Sequence, residues 1–306
     1  MAQKINTSRY YFEWAGHTIP DITAFNSIIK SERPHQPIIY LAGDSSFDNK
    51  HWVPSSGPGG EPLPVEVPSI YHSALQRPQP KADIAFWLNH SLGDRATALN
   101  CAVEATTLGQ RRTNLLEHDI FIRDNIRAED ILLVSVGGND IALKPTFATI
   151  CRMLQLAWLT SRSSLQQGTA WSLGHFKDMF KNQVEAYISR LVEKQKPKAI
   201  VVCMIYYPLE AGVSKQSSWA DVQLKLLGYD RFPGQLQTAI AKMYDLATKQ
   251  VRIPGIKVVP CALFEAMDGK NEEDYTDRVE PSVEGGRKMA LHLMEIIEPL
   301  ISEQRT

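Results

Sequence analysis

Apolar residues in this chain gather in short unbroken runs that stop at turn residues, and between those runs they recur every third or fourth position. Ile38 to Ala42 is such a run and ends at Gly43-Asp44-Ser45. Ile131 to Val136, ILLVSV, runs into Gly137-Gly138-Asn139-Asp140, and Ala199 to Ile205, AIVVCMI, exits into an irregular stretch from Tyr206 to Asp230. Runs of this length bounded by Gly and Asp predict strands buried on both faces. Two further strands are predicted at Thr97 to Val103 and Ile256 to Val259.

The helical spacing is equally plain. Phe147, Ile150, Cys151, Leu154 and Trp158 form one stripe, and Phe176, Phe180, Val184, Tyr187, Ile188 and Leu191 form a second. Leu236, Ile240, Met243, Tyr244 and Ala247 mark a helix from Pro233 to Val251, and Met289, Leu293, Ile297 and Leu300 the inner face of a closing helix from Val283 to Ile301. Asp83 is placed to cap a short helix that stops at Gly93, a short helix is predicted from Asp21 to Lys30, and Arg111 to Ile122 reads as partly helical at best. Five buried strands separated largely by helices predict parallel pairing with helices on both faces. Residues 1–36 read as an extension packed on one domain of residues 37–306. The Pro/Gly-rich excursion from His51 to Pro80 excludes regular structure through much of its length and is expected to form part of the substrate pocket or its lid.

Composition narrows the function classes. With 306 residues, 43% hydrophobic and 22% charged, the chain can bury a substantial core. Its 33 basic and 34 acidic residues give a net charge of -1, which is not the footprint of a nucleic-acid binder or a basic membrane-surface patch. The start lacks the apolar core of a secretory signal, and no stretch approaches the roughly 18 uninterrupted apolar residues of a membrane span, so an intracellular, cytoplasmic protein is expected. Cys101, Cys151, Cys203 and Cys261 are widely spaced and read as buried free thiols. No ligand cluster or phosphate-binding glycine loop implies a metal or organic cofactor.

Candidate chemistry sits at the strand ends, where ligands collect in open α/β sheets. Ser45 stands at one such mouth. Alone, Gly-Asp-Ser is more often a turn or a helix cap, and Asn139 alone is more often a turn residue. The series changes that balance: Gly43-Asp44-Ser45-Ser46, then Asn100-Cys101-Ala102-Val103-Glu104-Ala105-Thr106-Thr107, then Gly138-Asn139-Asp140, then Asp277 with Pro281 ahead of the final helix. In order and placement it resembles the SGNH hydrolase (GDSL esterase/lipase) family, over about residues 37 to 302.

The resemblance implies a flavodoxin-like three-layer α/β/α sandwich whose five parallel strands run in the order 2-1-3-4-5. It also implies a serine hydrolase that cleaves small acyl esters, as a monomer and without cofactor. By motif, Ser45 matches the nucleophile, and its backbone N–H the first donor of the oxyanion hole. Ala105 falls where the family has a glycine whose N–H is the second donor, so the substitution bears on the backbone angle and not on the donor. The Asn139 side chain matches the third. Asp44, Gly138 and Asn100 are supporting positions, Asn100 through bonds to backbone across the strand mouth.

One departure matters. In the family's last block an Asp is followed three residues later by the histidine that takes the proton from the serine, but in Tyr275-Thr276-Asp277-Arg278-Val279-Glu280-Pro281-Ser282 that place holds Glu280. Gly285-Gly286-Arg287-Lys288-Met289-Ala290 keeps the register with the family's closing helix. Of the eight histidines, His51 and His72 flank the excursion after Ser45 and are the least remote substitutes, while His292 lies inside the last helix. Glutamate can act as a general base within hydrogen-bond reach of the serine, the better if a like charge raises its pKa, and Asp277 is expected to supply that charge. The sedolisin peptidases, similar in chemistry only, pair a serine with Glu and Asp. Two readings follow. One is an esterase or acylhydrolase, with acyl transfer to an alcohol as a variant of the same intermediate; it is favoured because the nucleophile and the hole residues are both present. The other is a pseudo-hydrolase that binds a ligand or a protein partner without turnover.

Overall fold

The computed structural model describes residues 3–143, 149, 152, 155, 160–171, 173–213 and 217–303. The stripe expected from Phe147 to Trp158 lies outside the described residues. Strands β1 (Ile38–Gly43), β2 (Thr97–Asn100), β3 (Ile131–Ser135), β4 (Ala199–Met204) and β5 (Lys257–Ala262) form one sheet in the order β2-β1-β3-β4-β5. Every pairing in it is parallel, the flavodoxin-like order expected. β1, β3 and β4 are buried throughout, which is why their sequences carry no alternation of polar and apolar residues. β5 is an edge strand, exposed where it begins. β2 is short, yet Cys101 N–H donates to Leu41 O and Val103 N–H to Gly43 O, so the chain follows β1 past its end.

Helices flank the sheet. Ile84–Leu92, capped by the Asp83 carboxylate accepting from Phe86 N–H at 2.8 Å, packs against Val283–Ser302. Met289, Leu293, Ile297 and Leu300 of the latter are buried as their spacing predicts. Elsewhere Glu117–Asn125 and Val184–Leu191 pack together. The stripe that begins at Phe176 includes one π-helical stretch, Asp178–Gln183, and still buries Phe176, Phe180, Val184, Tyr187, Ile188 and Leu191. Ile5, Tyr10, Ile22, Phe25 and Ile29 of the first 36 residues enter the same core as the sheet. A small antiparallel hairpin, β6 (Tyr275–Asp277) and β7 (Glu280–Pro281), precedes the closing helix. The sequence pattern did not announce it, because strands of three and two residues have no period to read.

Candidate active site

β1 ends at Gly43 beside Ser135 of β3. A Cβ on Gly43 would stand 2.1 Å from Ser135 O, so only glycine lets the strands approach this closely as the chain turns out of the sheet. Asp44 N–H then donates to Ser135 O at 3.3 Å, and the Asp44 carboxylate accepts from Ser46 N–H (3.1 Å) and Ser46 Oγ (2.8 Å). That local ring fixes the turn and presents Ser45, buried to 7% exposure. Burial raises the Asp44 carboxyl to about 6 despite the opposing bonds from Ser46.

The second stretch is tied to the first from several sides. Asn100 Nδ2 donates to Phe47 O at 2.9 Å, and Asn100 Oδ1 accepts from Ala102 N–H at 3.0 Å. Asp48 accepts from Glu104 N–H at 2.9 Å and from Gly16 N–H at 2.6 Å, and pairs with the buried Lys50 ammonium at 2.6 Å. Among the described residues Ala105 is the one non-glycine with a left-handed backbone, φ +57°. For an L-residue this conformation costs about 1 kcal/mol. It persists because its neighbours are held: Thr106 Oγ1 donates to Val103 O at 2.5 Å and accepts from Arg111 at 2.8 Å, while Thr106 O accepts from Asn139 Nδ2 at 3.0 Å. Among the described residues no bond uses the N–H of Ser45 or of Ala105. Asn139 opens the short helix Gly138–Ala142, and Asp140 beside it accepts from Leu108 N–H and Gly109 N–H at 2.7 and 2.8 Å, locking this station to the second.

Glu280 comes from β7 and is 2% exposed. Burial pushes its carboxyl well above the usual range; the Glu104 charge pushes the same way, a hydrogen bond with the Ser45 side chain pulls it down, and Asp44 and Asp277 raise it further. The structure therefore brings Ser45, Glu280, Asp44 and Asn139 to one cleft. Asp277 pairs with Glu280 along the hairpin backbone, but its carboxylate accepts from Ser218 Oγ. No histidine lines the cleft among the described residues. His51 lies edge-on to Trp52, His72 is exposed, and His292 Nδ1 lies 3.6 Å from Glu295 Oε2. Cys101, Cys203 and Cys261 are buried free thiols.

The cleft encloses about 110 Å³ and is almost wholly apolar away from Ser45 and Glu280: Ile141, Phe176, Phe180, Ile205, Leu224, Leu227, Leu236, Ile240 and Met243 line it. The stretch after β4 supplies part of this wall. The excursion from His51 to Pro80 does not. Its Leu63, Val65 and Val67 pack on the core instead, because prolines that bar strand or helix still leave apolar side chains to bury. No group of three or more His, Cys, Asp or Glu among the described residues is arranged to hold a metal ion, and no helix among them is long and apolar enough to cross a membrane.

Four residues that shape the site escaped sequence reasoning. Arg111, fully buried, donates to Gly43 O at 2.7 Å and pairs with Asp119, which also accepts from Tyr187 OH at 2.6 Å. Arg278 donates to Leu209 O at 3.1 Å and pairs with Asp221 and Asp230 at 2.9 and 2.8 Å, and Tyr206 OH donates to Val279 O at 2.7 Å. These bonds pin the hairpin that carries Glu280. Glu104 accepts from Trp52 Nε1 at 2.8 Å. Only Glu104 had a local signal, its place beside Ala105 in the second motif.

No family model matches the chain, and no curated protein matches it. Among solved structures it is similar to a lipase/acylhydrolase from Enterococcus faecalis, at 11% identity over 89% of this chain and 100% of that one, TM-score 0.44. A carbohydrate acetylesterase from Sinorhizobium meliloti matches at 11% identity over 87% and 100%, TM-score 0.45. An acetylxylan esterase from Geobacillus stearothermophilus matches at 14% identity over 88% and 95%, TM-score 0.39.

Proposed function

We propose that the chain is a serine esterase or acylhydrolase of the SGNH type whose general base is Glu280. The observation that carries this reading is the buried Glu280 carboxylate sharing one apolar cleft with Ser45, whose hydroxyl acts on its pKa. Ser45 Oγ attacks the carbonyl carbon of the ester, and its proton passes to Glu280. The oxygen that becomes negative is held by the N–H groups of Ser45 and Ala105 and by Asn139 Nδ2, donors preorganised for charge that develops only in the transition state. Asn139 Nδ2 carries two hydrogens, so it donates one to the oxyanion while the other keeps its bond to Thr106 O. Collapse breaks the ester bond, and the departing alkoxide takes the proton from Glu280. Water then attacks the acyl-Ser45 ester by the same route in reverse roles, while an alcohol in its place gives acyl transfer. The apolar wall suits the acyl chain, so the substrate class is a carboxylic ester with a hydrophobic acyl part.

A base must be ionised to act. Since burial and like charges hold Glu280 well above the usual carboxyl range, activity rises with pH through the Glu280 midpoint. The test is labelling with a fluorophosphonate together with hydrolysis of p-nitrophenyl esters. Wild type is expected to form one adduct on Ser45, absent in Ser45→Ala, and Glu280→Gln to lower kcat about 100-fold to 10,000-fold. Turnover unchanged in Glu280→Gln would assign the base elsewhere. Protein that neither labels nor hydrolyses any ester would favour the ligand-binding pseudo-hydrolase.

A further inference from the structure

One aromatic ring stands where the Asn139 turn meets the apolar wall. Phe180 lines the same cleft as Ser45, Asn139 and Glu280 and is 3% exposed. Its edge lies on the bare backbone of Gly137: a Cβ built there would come within 2.8 Å of Phe180 Cε1, and φ at Gly137 is +102°. Glycine is therefore required twice at this position, for the angle and for the ring. Gly137 precedes Asn139 by two residues, and a Cβ on the intervening Gly138 would stand 3.9 Å from Asp44 Oδ2, so the turn that supports the ring also meets the turn that presents Ser45. The ring is held from its own side as well. It belongs to the π-helical stretch Asp178–Gln183, a wide turn that is rare in proteins and frequent at functional sites. The Asp178 carboxylate staples that turn, accepting from Asn182 Nδ2 at 2.8 Å and from Gln183 Nε2 at 2.9 Å. Between a stapled helix and a glycine backbone, the ring has little room to yield.

Resting on the serine-hydrolase reading above, we propose that Phe180 is a specificity-determining residue for the acyl part: its ring fills the space beside the first carbon after the carbonyl, so the site takes esters of straight-chain acids and rejects those branched at that carbon. With the carbonyl oxygen among the donors of Ser45, Ala105 and Asn139, the carbonyl carbon faces Ser45 Oγ and the next carbon of the acyl chain leaves toward the apolar wall. Phe180, braced against the Asn139 turn, stands at the donor end of that wall. A methyl branch on that carbon needs the volume the ring occupies, and overfilling a close-packed site is destabilising in the same way as overfilling a core. A straight chain passes the ring edge and meets the rest of the wall.

The experiment compares kcat/KM for p-nitrophenyl hexanoate and p-nitrophenyl 2-methylhexanoate in the full chain. The two esters differ in intrinsic reactivity, so the readout is the change in their ratio from wild type to variant, in which that difference cancels. Phe180→Leu is expected to lower the preference for the straight ester about 10-fold. Phe180→Met keeps the core filled with a flexible side chain that gives way to a branch, and is expected to act in the same direction should Phe180→Leu fail to fold. Leu224→Ala opens the cleft in the cluster against which Val279 packs, on the side of the hairpin, and is expected to leave the ratio near wild type. Binding of hexanamide and 2-methylhexanamide, followed by calorimetry, reads the same preference without turnover: wild type is expected to bind the straight amide about 10-fold more tightly, and Phe180→Met to bind the two nearly alike. A ratio unchanged in the folded Phe180 variants, or lowered as much by Leu224→Ala, overturns the proposal, as does wild type that binds both amides equally or neither. Loss of all ester hydrolysis would sink the serine chemistry instead, and the amides would still decide what Phe180 excludes.

Discussion

A single alanine carries the backbone strain of this site. Ala105 takes φ +57° where a glycine would sit without penalty, and its N–H is one of the donors proposed for the oxyanion hole. Ala105→Gly exchanges relief of about 1 kcal/mol for the greater freedom glycine has when unfolded, worth roughly 0.4 to 1 kcal/mol. The expected result by urea denaturation is stability within about 1 kcal/mol of wild type, with esterase activity retained. Ala105→Val should lose both, since a β-branched residue is poorly accommodated at positive φ. Equal behaviour of the two variants would mean that this backbone angle does not matter to the hole.

Above single residues, two arginines hold the elements that carry the site, and they are expected to fail differently. Arg111 clamps the end of β1 to the second motif and neutralises Asp119 in the interior. Arg111→Met leaves that carboxylate buried and unpaired, so a loss of about 3–5 kcal/mol is expected in a denaturant melt. Arg278 bonds the hairpin to the stretch after β4, with partners that are partly exposed. Arg278→Met is expected to lose only about 1–3 kcal/mol but to lower kcat more than it raises KM, because Glu280 rides on that hairpin. If Arg278→Met changes KM alone, the hairpin is not what positions the base.

At the scale of the whole molecule, the sheet fixes where the cleft lies and the helices around it fix what fits. Burial of each additional methylene gains about 0.8 kcal/mol, or about four-fold in kcat/KM, so p-nitrophenyl esters should improve with acyl length until the cleft of about 110 Å³ is full. Leu236→Trp, which narrows it, should move the optimum to shorter acyl chains. A flat profile would place the acyl group elsewhere. The same packing makes stability depend on pH. Asp44 and Asp83 are raised to about 6 and Glu104 to about 7, each by burial. Between the ordinary carboxyl range and these values the folded chain keeps protons that the unfolded chain has released, so their contribution to stability falls as pH rises through that window. Thermal melts should show a shallower decline between pH about 5 and about 8 in Glu104→Gln than in wild type.

The order and type of the central elements were legible because burial on both faces writes itself into consecutive residues: β1, β3 and β4 are apolar runs, and the closing helix shows its inner face at Met289, Leu293, Ile297 and Leu300. Ser45 and Asn139 could be singled out from the same text, since turn residues at strand ends mark where a chain leaves the sheet, whereas Glu280 stands out only against the SGNH pattern that the chain resembles, in the place of its histidine. What local pattern cannot carry is a bond between side chains far apart in the chain. The Arg111 clamp on Gly43, the Trp52–Glu104 bond and the hairpin's ties through Arg278 and Tyr206 join stretches between 48 and 73 residues apart. Those contacts exist only once the sheet has set its strands side by side, and they decide which carboxylate stands next to the serine and how strongly it holds a proton.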